Sequence, residues 1–445
     1  MFEMPRKVSH QGGNSHPPPL GLRKEAAIGW YLSFIFFSLF FLWPFTTSGM
    51  EKVEWEFRES PLGIITFQKR WDNLLLWPSI GFPAFAEPNS TLEVLVLCRW
   101  RPQAWRVYVD NTPLVVLGTA ENAGVWRLNV QLPDNLGEGL HDLWVEADGE
   151  RIGERKGRNS LMVVRELPQT PQIAGISDTH VDEENWRVVR FAINPRPLFA
   201  SKDLRGLPAL IRNLLRDLDN GLSRVRDGVI VCRPEHARKL SETLAYIREN
   251  IKPDLVLVTG DLVDWSSERS WEKLWEILAT SELPVCLVPG NHDHRSRLPM
   301  LQGRRWLAPF YRYLNSFDVY GFQLGRYYLV GINSGHDWKP FDSSRGSGLE
   351  KVQLSWLLRH LEERENIVIF LHHRSYEHLL GLKYGWEEVL SKKGILMVVC
   401  GHSHPPVPRE SMVRGVRQIE IPSTRDTQEP AQAVVVLSPY LEVPR

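Results

Sequence analysis

Hydrophobic positions along the chain fall into three regimes, and each predicts a different kind of structure. From Ala26 to Phe45 (AAIGWYLSFIFFSLFFLWPF) they run nearly unbroken for 20 residues, and no charge stands between Glu25 and Glu51. A helix of that length crosses about 30 Å of hydrocarbon at ~1.5 Å per residue. From about Val53 to Leu167 apolar and polar residues alternate: Trp105, Val107 and Val109 with Arg106, Tyr108 and Asp110, then Trp126, Leu128, Val130 and Leu132 with Arg127, Asn129 and Gln131. A period of two marks half-buried strands. After Gln172, short apolar runs (IAGIS, LVLVTG, VCLVPG, YYLVGIN, IVIFLHH, ILMVVCG) alternate with amphipathic stretches at Glu235 to Asn250 and Leu349 to Glu363. Buried strands joined by helices have this pattern.

These regimes predict a tail at 1–25, a transmembrane helix at 26–46, an all-β sandwich of immunoglobulin or fibronectin type III character at 51–167 and an α/β domain at 172–445. Trp30, Tyr31 and Trp43 lie near the ends of the apolar run. Arg6, Lys7, Arg23 and Lys24 precede it, while Glu51, Glu54, Glu56 and Glu59 follow. Positive residues stay inside, so the tail is expected in the cytoplasm and both later domains outside the cell membrane. The alternative is a cleaved signal peptide, processed near Thr46 to Gly49, and a secreted protein. Asp148-Gly149 predicts a hairpin turn. Between His180 and Asp261 the chain is longer than one crossover needs; Leu207, Leu210, Ile211, Leu214, Leu215 and Leu218 predict an added amphipathic helix there. Its expected role is packing on the body, with a lid or a membrane-facing surface as the sharper alternative.

Composition narrows the partners. Lys plus Arg and Asp plus Glu both number 53, so there is no basic excess of the kind that nucleic-acid binding uses. Four cysteines, Cys98, Cys232, Cys286 and Cys400, are too few for a disulfide framework. The 17 tryptophans are expected in cores, with a carbohydrate-binding surface on the β domain as the alternative.

Chemistry gathers where the apolar runs of the α/β domain end. In order these ends read SDTH (Asp178, His180), GDLVD (Asp261, Asp264), GNHDH (Asn291, His292), LHH (His372, His373) and GHSH (His402, His404). Residues two apart on extended chain share a face, so Asp178 with His180, and His402 with His404, can each reach one centre. Carboxylate, amide and imidazole ligands without thiolate suit divalent Mn, Fe, Co or Zn. The glycines before Asp261, Asn291 and His402 are expected to let backbone approach an anion. Asp293, His294, His336 and His378 are expected as caps or solvated loop residues.

The five segments in this order resemble the calcineurin-like metallophosphoesterase superfamily over roughly Gln172 to Pro430, and Gln353 to Leu361 resembles the helix before its single-histidine motif. The resemblance implies a four-layer αββα sandwich that hydrolyses phosphate monoesters or diesters with two divalent metal ions. It also implies that Asp178, His180 and His404 bind one metal, that Asn291, His372 and His402 bind the other, and that Asp261 bridges both. His292 would steady the phosphoryl oxygens or protonate the leaving group, with Asp264 behind it; the other reading makes Asp264 a cap for Trp265 to Trp275. Arg374 stands where the family carries proline, which leaves His373 a rival to His372. Asp264 and Trp265 replace the Tyr of purple acid phosphatases and the Arg of protein Ser/Thr phosphatases, which disfavours both branches. The alternative function is a cell-surface binding protein whose sandwich recognises a partner beside a vestigial metal domain.

Overall fold

The six apolar runs of the C-terminal half form strands, and their pairing builds two facing sheets. This computed structural model describes residues 53–182, 234–295, 303–336, 348–374 and 383–437. Ile173–Ile176, Leu255–Thr259 and Val285–Val288 run parallel in one sheet, with Val435–Val436 antiparallel at its edge. Tyr327–Ile332, Ile367–Leu371, Ile395–Cys400 and Val416–Glu420 run parallel in the other. Leu257, Cys286 and Val288 face Leu329, Phe370 and Val399 in the core between them.

Helices close both outer faces. Pro234–Tyr246 and Glu268–Ala279 cover the first sheet with Leu240, Leu244, Trp271 and Leu274. Lys351–His360 and Lys383–Leu390 cover the second with Trp356, Leu357, Trp386 and Val389. The expected four layers are therefore present, and strands covered on both faces stay apolar until they end. Truncating a fully buried anchor such as Trp271 to Ala costs about 3–5 kcal/mol.

In the N-terminal part, a seven-stranded and a three-stranded sheet enclose Val94, Val96, Val107, Leu128, Val145 and Leu161. Asp148 and Gly149 turn the predicted hairpin with φ of 51° and 87°. The strand Thr91–Cys98 breaks the expected alternation because both of its faces are covered. Val94 and Val96 point into the sandwich, whereas Leu95 and Leu97 pack with Ile173 and Leu255 of the α/β body. Lys156 strengthens the same junction: its buried ammonium donates to Tyr311 O at 2.7 Å and to Ser316 Oγ, although burial lowers its pKa.

One expectation needs correction. The hairpin of Trp55–Ser60 and Gly63–Gln68, assigned above to a separate sandwich at 51–167, extends the α/β body instead. Gly63–Gln68 pairs antiparallel with Phe317–Leu324 and makes the second sheet eight-stranded. Every residue of GIITFQ is buried, and the pairing covers a sheet edge whose amides would otherwise be open. The tryptophans also divide: Trp126 is core, but Trp144 stacks between Tyr108 (3.8 Å) and Arg151 (3.7 Å), with both ring faces occupied.

The segment 26–46, the tail, the helix expected at 207–218, Cys232 and His378 lie outside the described residues. Among the described residues, no helix is long and apolar enough to cross a membrane.

Candidate metal centre

The candidate ligands stand at the carboxyl ends of five parallel strands, on one rim of the facing sheets. Asp178, His180, Asp261, His402 and His404 all turn there in left-handed backbone, with φ from 46° to 72°. Non-glycine residues enter that region at a cost of about 1–3 kcal/mol each, and such residues cluster at functional sites. The glycines before the ligands also allow close loop packing. A Cβ on Gly290 would lie 2.3 Å from Asp261 N and Oδ1, and one on Gly401 would lie 1.8 Å from Ser177 Oγ. They let neighbouring ligand loops touch.

Two groups of ligand atoms meet at Asp261. On one side, Asp261 Oδ2 is 3.5 Å from His180 Nε2, and Asp178 Oδ1 is 3.0 Å from His404 Nε2. These four residues form one cluster whose ligand atoms all lie within 4.8 Å. On the other side, Asp261 Oδ1 is 3.2 Å from His372 Nε2. Asn291 Oδ1 lies 2.8 Å from His372 Nε2 and 3.1 Å from His402 Nδ1, and the two ring nitrogens are 3.1 Å apart. His373 instead pairs its Nδ1 with Ser334 Oγ at 2.8 Å, so His372 is the histidine of the pair that faces Asp261.

The rings are turned so that lone pairs converge. His180 Nδ1 lies 3.2 Å from Asp264 Oδ1, His372 Nδ1 2.9 Å from Thr259 O, and His404 Nδ1 2.5 Å from Asp426 Oδ2. Each acceptor takes the Nδ1–H and leaves Nε2 for a metal. His180 Nε2 is buried without a hydrogen bond, and two imidazole nitrogens crowd one amide oxygen. This donor set fits a pair of borderline divalent cations.

Electrostatics agree. Burial opposes the charge on His372 and His404, but Asp261 beside the first raises it to about 10, and Asp178 and Asp426 raise the second to about 9. Burial likewise opposes ionisation of Asp178, yet the hydrogen bond with His404 holds it at about 2.

His292 sits beside the first group, its ring 4.3 Å from that of His180, with Nδ1 2.9 Å from Asp264 Oδ1. Asp264 does not cap the following helix. That helix starts at Glu268, and Ser267 accepts the Ser270 amide. Burial, helped by Arg295, outweighs the support that Asp261 and Asp264 give the charged ring, so the His292 pKa is lowered.

Three further loop residues, expected as caps or solvated positions, are buried rather than solvated, and Asp293 serves as a cap. Asp293 is buried and accepts the amides of Gly290 (2.7 Å), Val263 (2.9 Å) and Leu262 (3.1 Å), joining the Asn291 and Asp261 loops; burial and nearby Asp261 push its carboxyl up to about 7. His294 is buried with Nε2 3.0 Å from Asn333 Oδ1, and His336 is buried 5.5 Å from it, ring to ring. Asp426 was missed altogether, because the segment before it, VRQIEIP, mixes charged with apolar residues and does not end like the six apolar runs.

Fold and ligand geometry together define an α/β protein with a candidate metal centre. The sequence profile described as calcineurin-like phosphoesterase matches residues 171–406, more than half of the chain, and the chain belongs to that family. A probable glycerophosphodiester phosphodiesterase of Arcobacter nitrofigilis is 26% identical over 166 residues, 34% of this chain and 57% of that protein. A probable cyclic nucleotide phosphodiesterase of Vesicomyosocius okutanii is 28% identical over 191 residues, 39% of this chain and 72% of that protein. The 3',5'-cyclic adenosine monophosphate phosphodiesterase of Haemophilus influenzae is 28% identical over 177 residues, 37% and 59%. The chain thus spans 57% of the length of the first of these relatives.

Proposed function

We propose that this chain hydrolyses phosphodiesters at a pair of divalent metals, Mn, Fe, Co or Zn. The observation that carries the proposal is the division of Asp261: one carboxylate oxygen faces each ligand group. Asp178, His180 and His404 would hold one ion and Asn291, His372 and His402 the other, with Asp261 shared. Such a pair supplies Lewis acidity toward water and phosphoryl oxygens. The chain's own part is to fix the ligand rings through Asp264, Thr259 O and Asp426, and to set His292 beside the reacting group. The complete ligand set favours an enzyme over a binding protein with a vestigial centre.

Diester rather than monoester chemistry is supported by the names of the three relatives, and cyclic nucleotides and glycerophosphodiesters are the first substrates to test. The metal-loaded chain should hydrolyse bis(p-nitrophenyl) phosphate and members of a diester panel faster than the matching monoesters. Faster turnover of every monoester would reverse the assignment, and no turnover of either would remove it.

We further propose that the segment 26–46 anchors the chain and that residues after 50 face outward. Protease added to intact cells should then digest the later domains and spare a tag at Met1. Recovery of a soluble mature form beginning near Met50 would replace the anchor by a signal peptide.

A further inference from the structure

His404 is braced by a turn outside the five motif segments. Its Nδ1 lies 2.5 Å from Asp426 Oδ2, while Nε2 points to Asp178 Oδ1 at 3.0 Å. Asp426 is half-exposed, so burial alone does not place it. Backbone bonds tie its turn to the strand end that carries Asp178: Thr424 N donates to Ser177 O at 2.9 Å and Arg425 N to Asp178 O at 3.2 Å. Arg425 Nε donates to Asp426 Oδ1 at 3.1 Å, and its Nη2 lies 3.5 Å from Oδ2 and 3.2 Å from His404 Nδ1, so the guanidinium holds the carboxylate against the imidazole.

The opposite side of the turn is held from the helix Pro234–Tyr246. Lys239 Nζ donates to Arg425 O at 2.6 Å and to Thr427 O at 2.9 Å, bracketing Asp426 between two anchored carbonyls. One turn earlier on that helix, His236 Nδ1 is 3.0 Å from the carbonyl oxygen of His180. A single helix therefore contacts the backbone of one histidine of the first ligand group and the turn that braces the other.

We propose that Asp426 is a positioning residue for His404 and that Lys239 sets Asp426, so that the helix Pro234–Tyr246 governs occupancy of the metal position made by Asp178, His180 and His404. The proposal rests on the two-metal reading above. A carboxylate behind a ligating imidazole fixes its tautomer and orientation, and losing such a partner costs roughly 10- to 100-fold in metal affinity. A salt-bridged surface turn without this role would leave metal binding untouched.

Chelator-buffered Co²⁺ titrations of the full chain separate the cases, with metal per chain and the metal-free Tm as readouts. Asp426→Asn should weaken one of two binding events by roughly 10- to 100-fold and leave the other event unchanged, with a cooperative metal-free melt at a lower Tm that reports the lost His404 pairing. Lys239→Met should weaken the same event by less, and Asp426→Glu should recover part of the loss. Two undisturbed events in Asp426→Asn, or equal weakening of both, would overturn the proposal. If Asp426→Asn does not fold, Lys239→Met decides: weakening of one event supports the proposal, and unchanged binding overturns it. A wild-type chain that binds no metal would instead remove the two-metal reading on which the inference stands.

Discussion

Asp264 Oδ1 lies 2.9 Å from Nδ1 of His292 and 3.2 Å from Nδ1 of His180, so one carboxylate steadies a candidate ligand and a candidate catalytic imidazole together. Burial disfavours charge on Asp264, but hydrogen bonds from these two rings keep its carboxyl well below the usual range. Asp264→Asn should therefore disturb both chemistry and metal binding, whereas His292→Ala should disturb chemistry alone.

Leaving groups distinguish what His292 does. General acid catalysis contributes about 10²–10⁴-fold, and only for leaving groups that need a proton. His292→Ala should accordingly cost about that much more on alkyl phosphodiesters than on bis(p-nitrophenyl) phosphate. Equal losses on both would assign the ring to holding phosphoryl oxygens.

The metal-free protein should be most stable near neutral pH. His372 and His404, raised to about 10 and about 9, contribute stability that is full below the unfolded value of about 6.5 and lost as pH climbs through their folded values. His180, lowered to about 4 chiefly by burial, and His294, lowered to about 3 by burial and His336, contribute in the other direction. Their stability is full above about 6.5 and lost as pH falls toward those values. Tm measured against pH in chelator should peak between these limbs. Metal binding requires neutral imidazoles, so loading should remove the alkaline decline. A metal-free profile that rises steadily to pH 9 would contradict this balance.

Asp293 gives a test of the scaffold. Both of its oxygens accept backbone amides, and Asp293→Asn turns one acceptor into a donor facing a donor. Leaving a buried amide unsatisfied costs about 1–3 kcal/mol. The variant should lose that much stability in urea melts and bind metal more weakly, because the Asn291 and Asp261 loops part. Unchanged melting would show that water replaces the carboxylate.

The six α/β strands were legible because short apolar runs ending in Asp, Asn or His leave little freedom in reading, whereas the seven proposed ligands were singled out among those ends by the resemblance to the metallophosphoesterase family. The terminal hairpin was not, since GIITFQ is as apolar as a sandwich strand and only a distant partner, Phe317–Leu324, decides its sheet. Asp293 and Asp426 were illegible for a related reason. A carboxylate that accepts amides from loops 30 residues away, or backs an imidazole across a turn, has no local pattern. Lys239 likewise looks like any solvated helix residue until the 423–427 turn packs against it.

Asp261 carries the central claim, since its two carboxylate oxygens face the imidazoles of both ligand groups. The direct measurement is diester hydrolysis followed against metal bound per chain, for wild type and Asp261→Ala. We predict that wild-type activity appears as occupancy approaches two, and that Asp261→Ala fails to reach two and remains at background. Full activity at one metal per chain, or an Asp261→Ala enzyme that turns over normally, would contradict the account.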